Sequence, residues 1–409
     1  MKKKISRLEL IYGYILIMTS GNPFFTSKTL LVFIFIVLLF TLNLKKDFVF
    51  IKYLISFIGF SLFIFILQYF HWGQLPISFV SGYFVRVVIG AILFYKLRFR
   101  LPLVLWKVVV YSSLLALPFY FIHLFIGNFF DIKSVILYTF RPIHTGETII
   151  RNSGFAWEPG VFQIYINIVL FLNLNYISRF KKWELLVLIL SLLTTFSSTG
   201  YLIFFMICIV FLNSSRDITV LRLKSLKPLL LIIIIGVFVS IFFNSDFLKN
   251  KLVSQTSEIS TFEGEFSQNR FLTFLFDLKY IKMNPILGNG YNFEMRYTAE
   301  DKRFIENFLE LRDQEGDSLG AANGLSDMIS RFGFLYVIIF FSFFYRRLKM
   351  FSTKKRLYIL LLILLFLWGE PMMNFPFFLA LPFISFYNGN LNIKELRDYN
   401  RLENKLKLE

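Results

Sequence analysis

Long unbroken apolar runs constrain this chain more than any other feature. Leu30 to Leu42, Leu54 to Phe70 and Leu226 to Phe243 approach or reach the roughly 20 apolar residues that a helix needs to cross a bilayer. A soluble domain has no core large enough to hide so many such runs. With 56% of all residues hydrophobic and 55 Phe, the bias extends over the whole chain. The expected fold is an all-α polytopic membrane protein of about twelve transmembrane helices.

The expected spans lie near 8–19, 29–44, 48–70, 77–97, 101–126, 158–177, 183–196, 199–213, 228–243, 325–345, 356–370 and 374–388. Met1 to Arg7 shows no signal-peptide pattern, so the first helix is expected to stay and to start in the cytoplasm. The bases then sort to one side. Lys45 and Lys46, Lys96 with Arg98 and Arg100, Arg179 with Lys181 and Lys182, Arg216 to Lys227 and Arg346 to Arg356 all fall in the cytoplasm, with both termini. The net charge of +18 is therefore an orientation signal and not a nucleic-acid footprint. Cys208 is the only cysteine, so no internal disulfide can form.

Trp183 to Asn213 must make two short spans around "TFSSTGY", because the bases flanking this stretch both belong in the cytoplasm. The Ser-Ser-Thr-Gly turn is then expected below the outer surface, where neighbouring helices or a wet cavity must satisfy its backbone. The chain divides into helices one to nine over 1–243, with an external loop at 127–157, a large external loop over 244–324, helices ten to twelve over 325–388 and a cytoplasmic tail over 389–409. The large loop carries more acid than base, the reverse of the cytoplasmic turns. Within it, Phe271, Phe274, Leu275 and Leu278 make one helical stripe, and Arg270, Thr273 and Asp277 another. This reads as an amphipathic helix on the outer interface, capped by Ser267 or Asn269 and stopped at Asn284-Pro285. The turn "PILGNGYN" follows it, and Gly288 and Gly290 either bring backbone N–H groups close to something or simply make a tight bend.

Charged residues near the outer face are the candidates for chemistry. Arg151 and Glu158 flank the sixth span in "RNSGFAWEPG". Arg151 reads either as a snorkelling anchor or as part of an outward site. Glu158 reads either as an acid at the positive end of a helix that starts with Pro159 or as a site carboxylate. Arg270 is an interfacial anchor or, beside free helix N–H groups, a pyrophosphate receptor. Arg86 and Arg331 lie within expected spans, where an arginine is costly and functional by default, although Arg331 is near enough to the end to reach the outer surface. Glu370 closes the eleventh span in "WGEPMMNFP". Asn323, in "AANGLSDMISRFG", is a helix cap or a polar group aimed into the site. Walker, HExxH and Cys/His metal patterns are missing from the sequence, so no metal or cofactor is expected.

Four of these motifs, "RNSGFAWEPGVFQIYINIVLFLNL", "TFSSTGYL", "NRFLTF…NPILGNGY" and "NGLSDMISRFGFLYVI", resemble in that order the bacterial O-antigen and capsular polysaccharide polymerases, relatives of the O-antigen ligases. The resemblance runs from about Arg151 to Phe344. It implies an architecture similar to the GT-C membrane glycosyltransferases. It also implies a reaction at the outer face of the bacterial cytoplasmic membrane, in which a glycan on undecaprenyl pyrophosphate is transferred to an incoming lipid-linked repeat unit. Membrane lipids, a chain-length regulator and a flippase are the partners implied.

On this resemblance Arg270, with Pro285, Gly288 and Gly290, is similar to a pyrophosphate-contacting arginine, and Arg151 to a second. Glu158 is similar to the acid of a Glu-Pro motif. The related ligases carry His-Asn where this chain has Asn323-Gly324, which favours polymerase and leaves the general base open between Glu158, Glu370 and no protein base. An O-antigen ligase and a flippase or transporter of lipid-linked glycans are the alternatives. A transporter has no need of the long external loop as a lid.

Overall fold

The computed structural model describes residues 5–22, 24–43, 47–73, 77–126, 143–145, 149–174, 180–214, 270–290, 324–348, 353–370 and 372–384. The expected ninth span, Asn323, the proposed caps Ser267 and Asn269, and the tail over 389–409 lie outside these residues. The helices are α1 (Arg7–Met18), α2 (Lys28–Phe40), α3 (Phe48–Trp72), α4 (Ile77–Leu97), α5 (Leu101–Ile126), α6 (Pro159–Leu172), α7 (Lys182–Leu193), α8 (Ser198–Ser214), α9 (Arg270–Met283), α10 (Gly324–Arg347) and α11 (Thr353–Gly369). Among the described residues four of them, α3, α4, α5 and α10, are long and apolar enough to cross a membrane. Much of their surface is apolar and outward-facing, as on Phe63, Phe70, Phe125 and Ile338. That pattern suits hydrocarbon as the surrounding solvent.

Two expectations change. The segment 374–388 does not form a span over its described part. It is a set of short turns, Met372–Asn374, Pro376–Leu379 and Leu381–Phe383. Pro376 and Pro382 lack the N–H that a continuing helix needs and clash with the preceding turn. This broken segment is core instead, with Phe377, Phe378 and Leu379 each at most 1% exposed. The Phe377 N–H donates to Ser20 Oγ at 2.9 Å. The chain also contains a small antiparallel hairpin, β1 (Ile143–Thr145) with β2 (Ile149–Arg151), pairing His144 with Ile150.

The turns segregate into two ends. At the basic end Arg100 bonds both Glu9 oxygens at 2.7 and 2.8 Å. The Tyr95 hydroxyl donates to Asp47 at 2.6 Å, and Asn173 Nδ2 donates to the Pro102 carbonyl at 3.0 Å. Arg347 lies 3.8 Å from the Tyr53 ring centroid. Glu184, 1% exposed, accepts from Trp106 Nε1 at 2.7 Å and Lys107 Nζ at 2.6 Å. Glu184→Ala would leave that indole N–H and ammonium without their acceptor. A loss of about 3 kcal/mol is expected, as for other broken buried pairs, seen as a lower midpoint of thermal unfolding in detergent. An unchanged midpoint would remove this pair from the account of stability.

Helix length then shapes the opposite end. α1, α2, α6 and α7 have 12, 13, 14 and 12 residues, so they rise only about 18–21 Å. α3, α4, α5 and α10 have 25, 21, 26 and 24, about 32–39 Å. The hydrocarbon core is roughly 30 Å thick. The short helices are therefore roughly 11–21 Å shorter than the long ones. Irregular polar backbone fills the level where they stop. Thr19, Ser20, Asn22 and Thr195 are fully buried there, as are nearly all of Asn152, Ser153 and Ser197.

A candidate site in the recess opposite the basic end

The recess begins as a solution to backbone hydrogen bonding. Where α1, α6 and α7 stop, their neighbours must satisfy the irregular chain between them. The Trp157 N–H donates to Gly21 O at 3.0 Å and the Asn152 N–H to Thr194 O at 2.9 Å. Asn22 Nδ2 donates to Phe155 O at 2.9 Å, and Asn152 Nδ2 to Thr194 Oγ1 at 3.0 Å. The "TFSSTGY" turn is thus closed by protein groups. Arg151, at the end of β2, is held over this turn by donation from Nε to Thr195 O at 3.0 Å and lies within electrostatic reach of Tyr201.

Glu158 is the N-cap residue of α6, with extended backbone (φ −133°, ψ 146°) and Pro159 at the first helical position. Its side chain makes no capping hydrogen bond. It is half-buried, whereas Glu370 is 2% exposed and lies against the first turn of the same helix. A Cβ at position 160 would stand 1.8 Å from Glu370 Oε1. Only glycine lets this carboxylate reach the positive end of α6, where the helix dipole favours an anion. On the flank of this contact Asn167 Nδ2 donates to Gln163 Oε1 at 2.9 Å and to Gly200 O at 3.0 Å, and Thr199 packs on Gly369. Three stretches far apart in sequence, "RNSGFAWEPG", "TFSSTGY" and "WGEPMMN", meet here.

A second junction joins the other two motifs. Gly333 interrupts α10 with φ 76° and ψ 167°, a conformation open essentially to glycine alone. The break leaves helix amides and carbonyls without partners, and the turn after α9 supplies them. Phe334 N–H donates to Pro285 O at 2.7 Å and Leu335 N–H to Ile286 O at 3.2 Å. In return Asn289 N–H donates to Ser330 O at 2.8 Å and Gly290 N–H to Arg331 O at 3.2 Å. Gln68 Nε2 from α3 closes the junction on Leu287 O at 2.6 Å and Arg331 O at 2.8 Å. The amides around Gly288 and Gly290 therefore hold the broken helix, and Gly288 N–H itself donates to Asn284 O at 3.0 Å.

This junction also changes the picture of the amphipathic helix. Arg270 is the first residue of α9. Asp277, assigned to a polar outer stripe, is 2% exposed and accepts from Ser326 of α10. Tyr280 and Ile281 are buried with it. A polar group sits in the packed face because α10 offers it a hydroxyl, a pairing that helical periodicity alone does not reveal. Arg331 is a buttress to α10, with Nε 2.7 Å from Asp327 Oδ1 and the side chain 18% exposed. Phe274 of α9 meets Trp368 of α11 at 5.1 Å between ring centroids, so the two junctions share the end of α11. Arg86 is half-buried on α4, one turn from Gly90, which touches the Pro376 carbonyl.

No family model matches this chain, and no curated protein matches it. Site residues therefore stand on geometry and on the motif resemblance alone. Thr195, Asp277 and Ser326 were not among the candidates read from the sequence, whereas Gly160 reads there, with Gly154, as a glycine that allows close approach at the head of the sixth span. The Gly160 contact had one signal there, a glycine in the first turn of a helix directly after Glu-Pro.

Proposed function

We propose that this chain is a polysaccharide polymerase that joins lipid-pyrophosphate-linked repeat units in the recess opposite the basic end. The observation that carries the reading is the meeting of "RNSGFAWEPG", "TFSSTGY" and "WGEPMMN" around Arg151, Glu158 and Glu370. The finer topology belongs to the same proposal: a GT-C-like bundle of about twelve crossings, set in the bacterial cytoplasmic membrane with the basic end and both termini in the cytoplasm.

In the proposed reaction an acceptor sugar hydroxyl attacks the anomeric carbon of the donor glycan. The bond from that carbon to the pyrophosphate oxygen breaks, and the bonding electrons leave with undecaprenyl pyrophosphate. The hydroxyl proton must be removed and the leaving group must be matched by positive charge. Arg151 and Arg270 supply charge, with Arg331 and Arg86 as further phosphate contacts. Glu158, half-buried at the head of α6, is the group assigned to the acceptor hydroxyl. Glu370, wedged against Gly160, holds the first turn of α6 beside it. Asn323 is kept as a polar contact in this proposal.

The test is reconstitution. Purified protein given a lipid-linked repeat unit should yield a ladder of polymer together with free undecaprenyl pyrophosphate. Movement of the same lipid across a vesicle membrane with no ladder would replace this reading with a flippase.

A further inference from the structure

We infer that Trp157, packed on Phe375, is a stacking platform for a pyranose ring of the glycan, with the neighbouring Glu158 and Asn374 as polar contacts to it. This inference rests on the polymerase reading and adds a sugar subsite to it. Trp157 is held by its own N–H on Gly21 O at 3.0 Å and follows the turn closed by Ala156 N–H on Ser153 O at 2.9 Å. Its ring meets Phe375 at 4.7 Å between centroids, inclined by 58°. Phe375 is 7% exposed, while Trp157, Glu158 and Asn374 each keep part of their surface open. An indole resting on a buried ring, with a carboxylate next to it in the chain and an amide next to Phe375 in the chain, offers an apolar surface with hydrogen-bonding groups nearby. A pyranose presents the matching surface, axial C–H bonds on its face and hydroxyls on its rim.

The height of Trp157 separates this role from that of an interfacial anchor. Asn173, which bonds Pro102 at the basic end, is one residue beyond α6, and the 14 residues of α6 place Trp157 roughly 21 Å above that end. Tryptophan belts sit at headgroup level, about 30 Å across the hydrocarbon core. Trp183 and Trp368, 42% and 47% exposed, suit a belt. Trp157 stands instead among the buried polar groups of the recess.

The experiment uses the full chain in detergent and, as probe, the repeat-unit oligosaccharide released by mild acid from the lipid-linked pool of cells lacking this protein. Affinity is measured by calorimetry for wild type, Trp157→Phe, Trp157→Leu and Trp157→Ala, with thermal unfolding of each. Trp157→Leu should bind roughly tenfold more weakly at unchanged unfolding midpoint, and Trp157→Phe within about threefold of wild type. Leucine keeps the apolar bulk without the π face, so the Leu and Phe pair decides the matter even where alanine fails to fold. Wild-type affinity in Trp157→Leu would overturn the platform. A wild-type protein that makes no polymer ladder would overturn the polymerase reading, independently of these affinities.

Discussion

Alanine at Arg270 should stop chain extension, lowering polymer yield by a factor on the order of 100–1,000, while lipid-linked single repeats accumulate. Arg270 is the first residue of α9, where the amide N–H groups of the first turn have no helical partner. That helix is not a loose lid. Asp277 accepts from Ser326, Phe274 meets Trp368, and the turn at its far end is knitted into α10. The backbone at position 270 thus stands on a fixed support, as the proposed stabilisation of a leaving pyrophosphate requires. Arg270→Lys should recover little, because an ammonium does not reproduce the planar two-pronged contact to phosphate. Arg151→Ala should fall in the same class. Wild-type polymer from Arg270→Lys would remove the bidentate contact from the proposal. Wild-type polymer from Arg270→Ala would remove the residue altogether.

The largest structural effect should come from Gly333→Ala. A Cβ there would stand 2.1 Å from Ile286 O and 2.6 Å from Gly288 N, and φ 76° with ψ 167° costs a non-glycine residue about 1–3 kcal/mol in any case. The turn over 285–290 must then move away, and four backbone hydrogen bonds across the break go with it. We expect a loss of about 3 kcal/mol or more, read as a lower unfolding midpoint and faster proteolysis within 270–290. Gly288→Ala meets the same backbone from the other side, 2.5 Å from Arg331 O and with φ 72°. The two changes should therefore be clearly non-additive, since either one opens the same junction. An unshifted midpoint in Gly333→Ala, or additive losses in the double variant, would show that the junction does not act as one unit.

The helices themselves were largely legible in the sequence. The expected 77–97 and 101–126 are the bounds of α4 and α5, and 48–70 differs from α3 by only two residues at one end. Apolar length and flanking charge are local properties, so a window of sequence contains them. Where helices failed, the reason was also local but overlooked. Pro376 and Pro382 divide a segment apolar enough for a span.

The candidate site was legible only as separate pieces. Arg151, Glu158, Glu370 and Arg270 could be singled out because charge is rare in such a chain, yet nothing along it told which of them meet. The sequence by itself determined that this protein must surround itself with lipid, where its helices run and at which end its bases gather. Only the tertiary structure decided that Gly160 receives Glu370, that Asp277 turns inward to Ser326, and that the glycine-rich turn repairs a broken helix. Hydropathy and charge act on each residue alone, through its solvent. These contacts depend on close approach between segments, and whether a polar group is satisfied is settled only when its partner arrives.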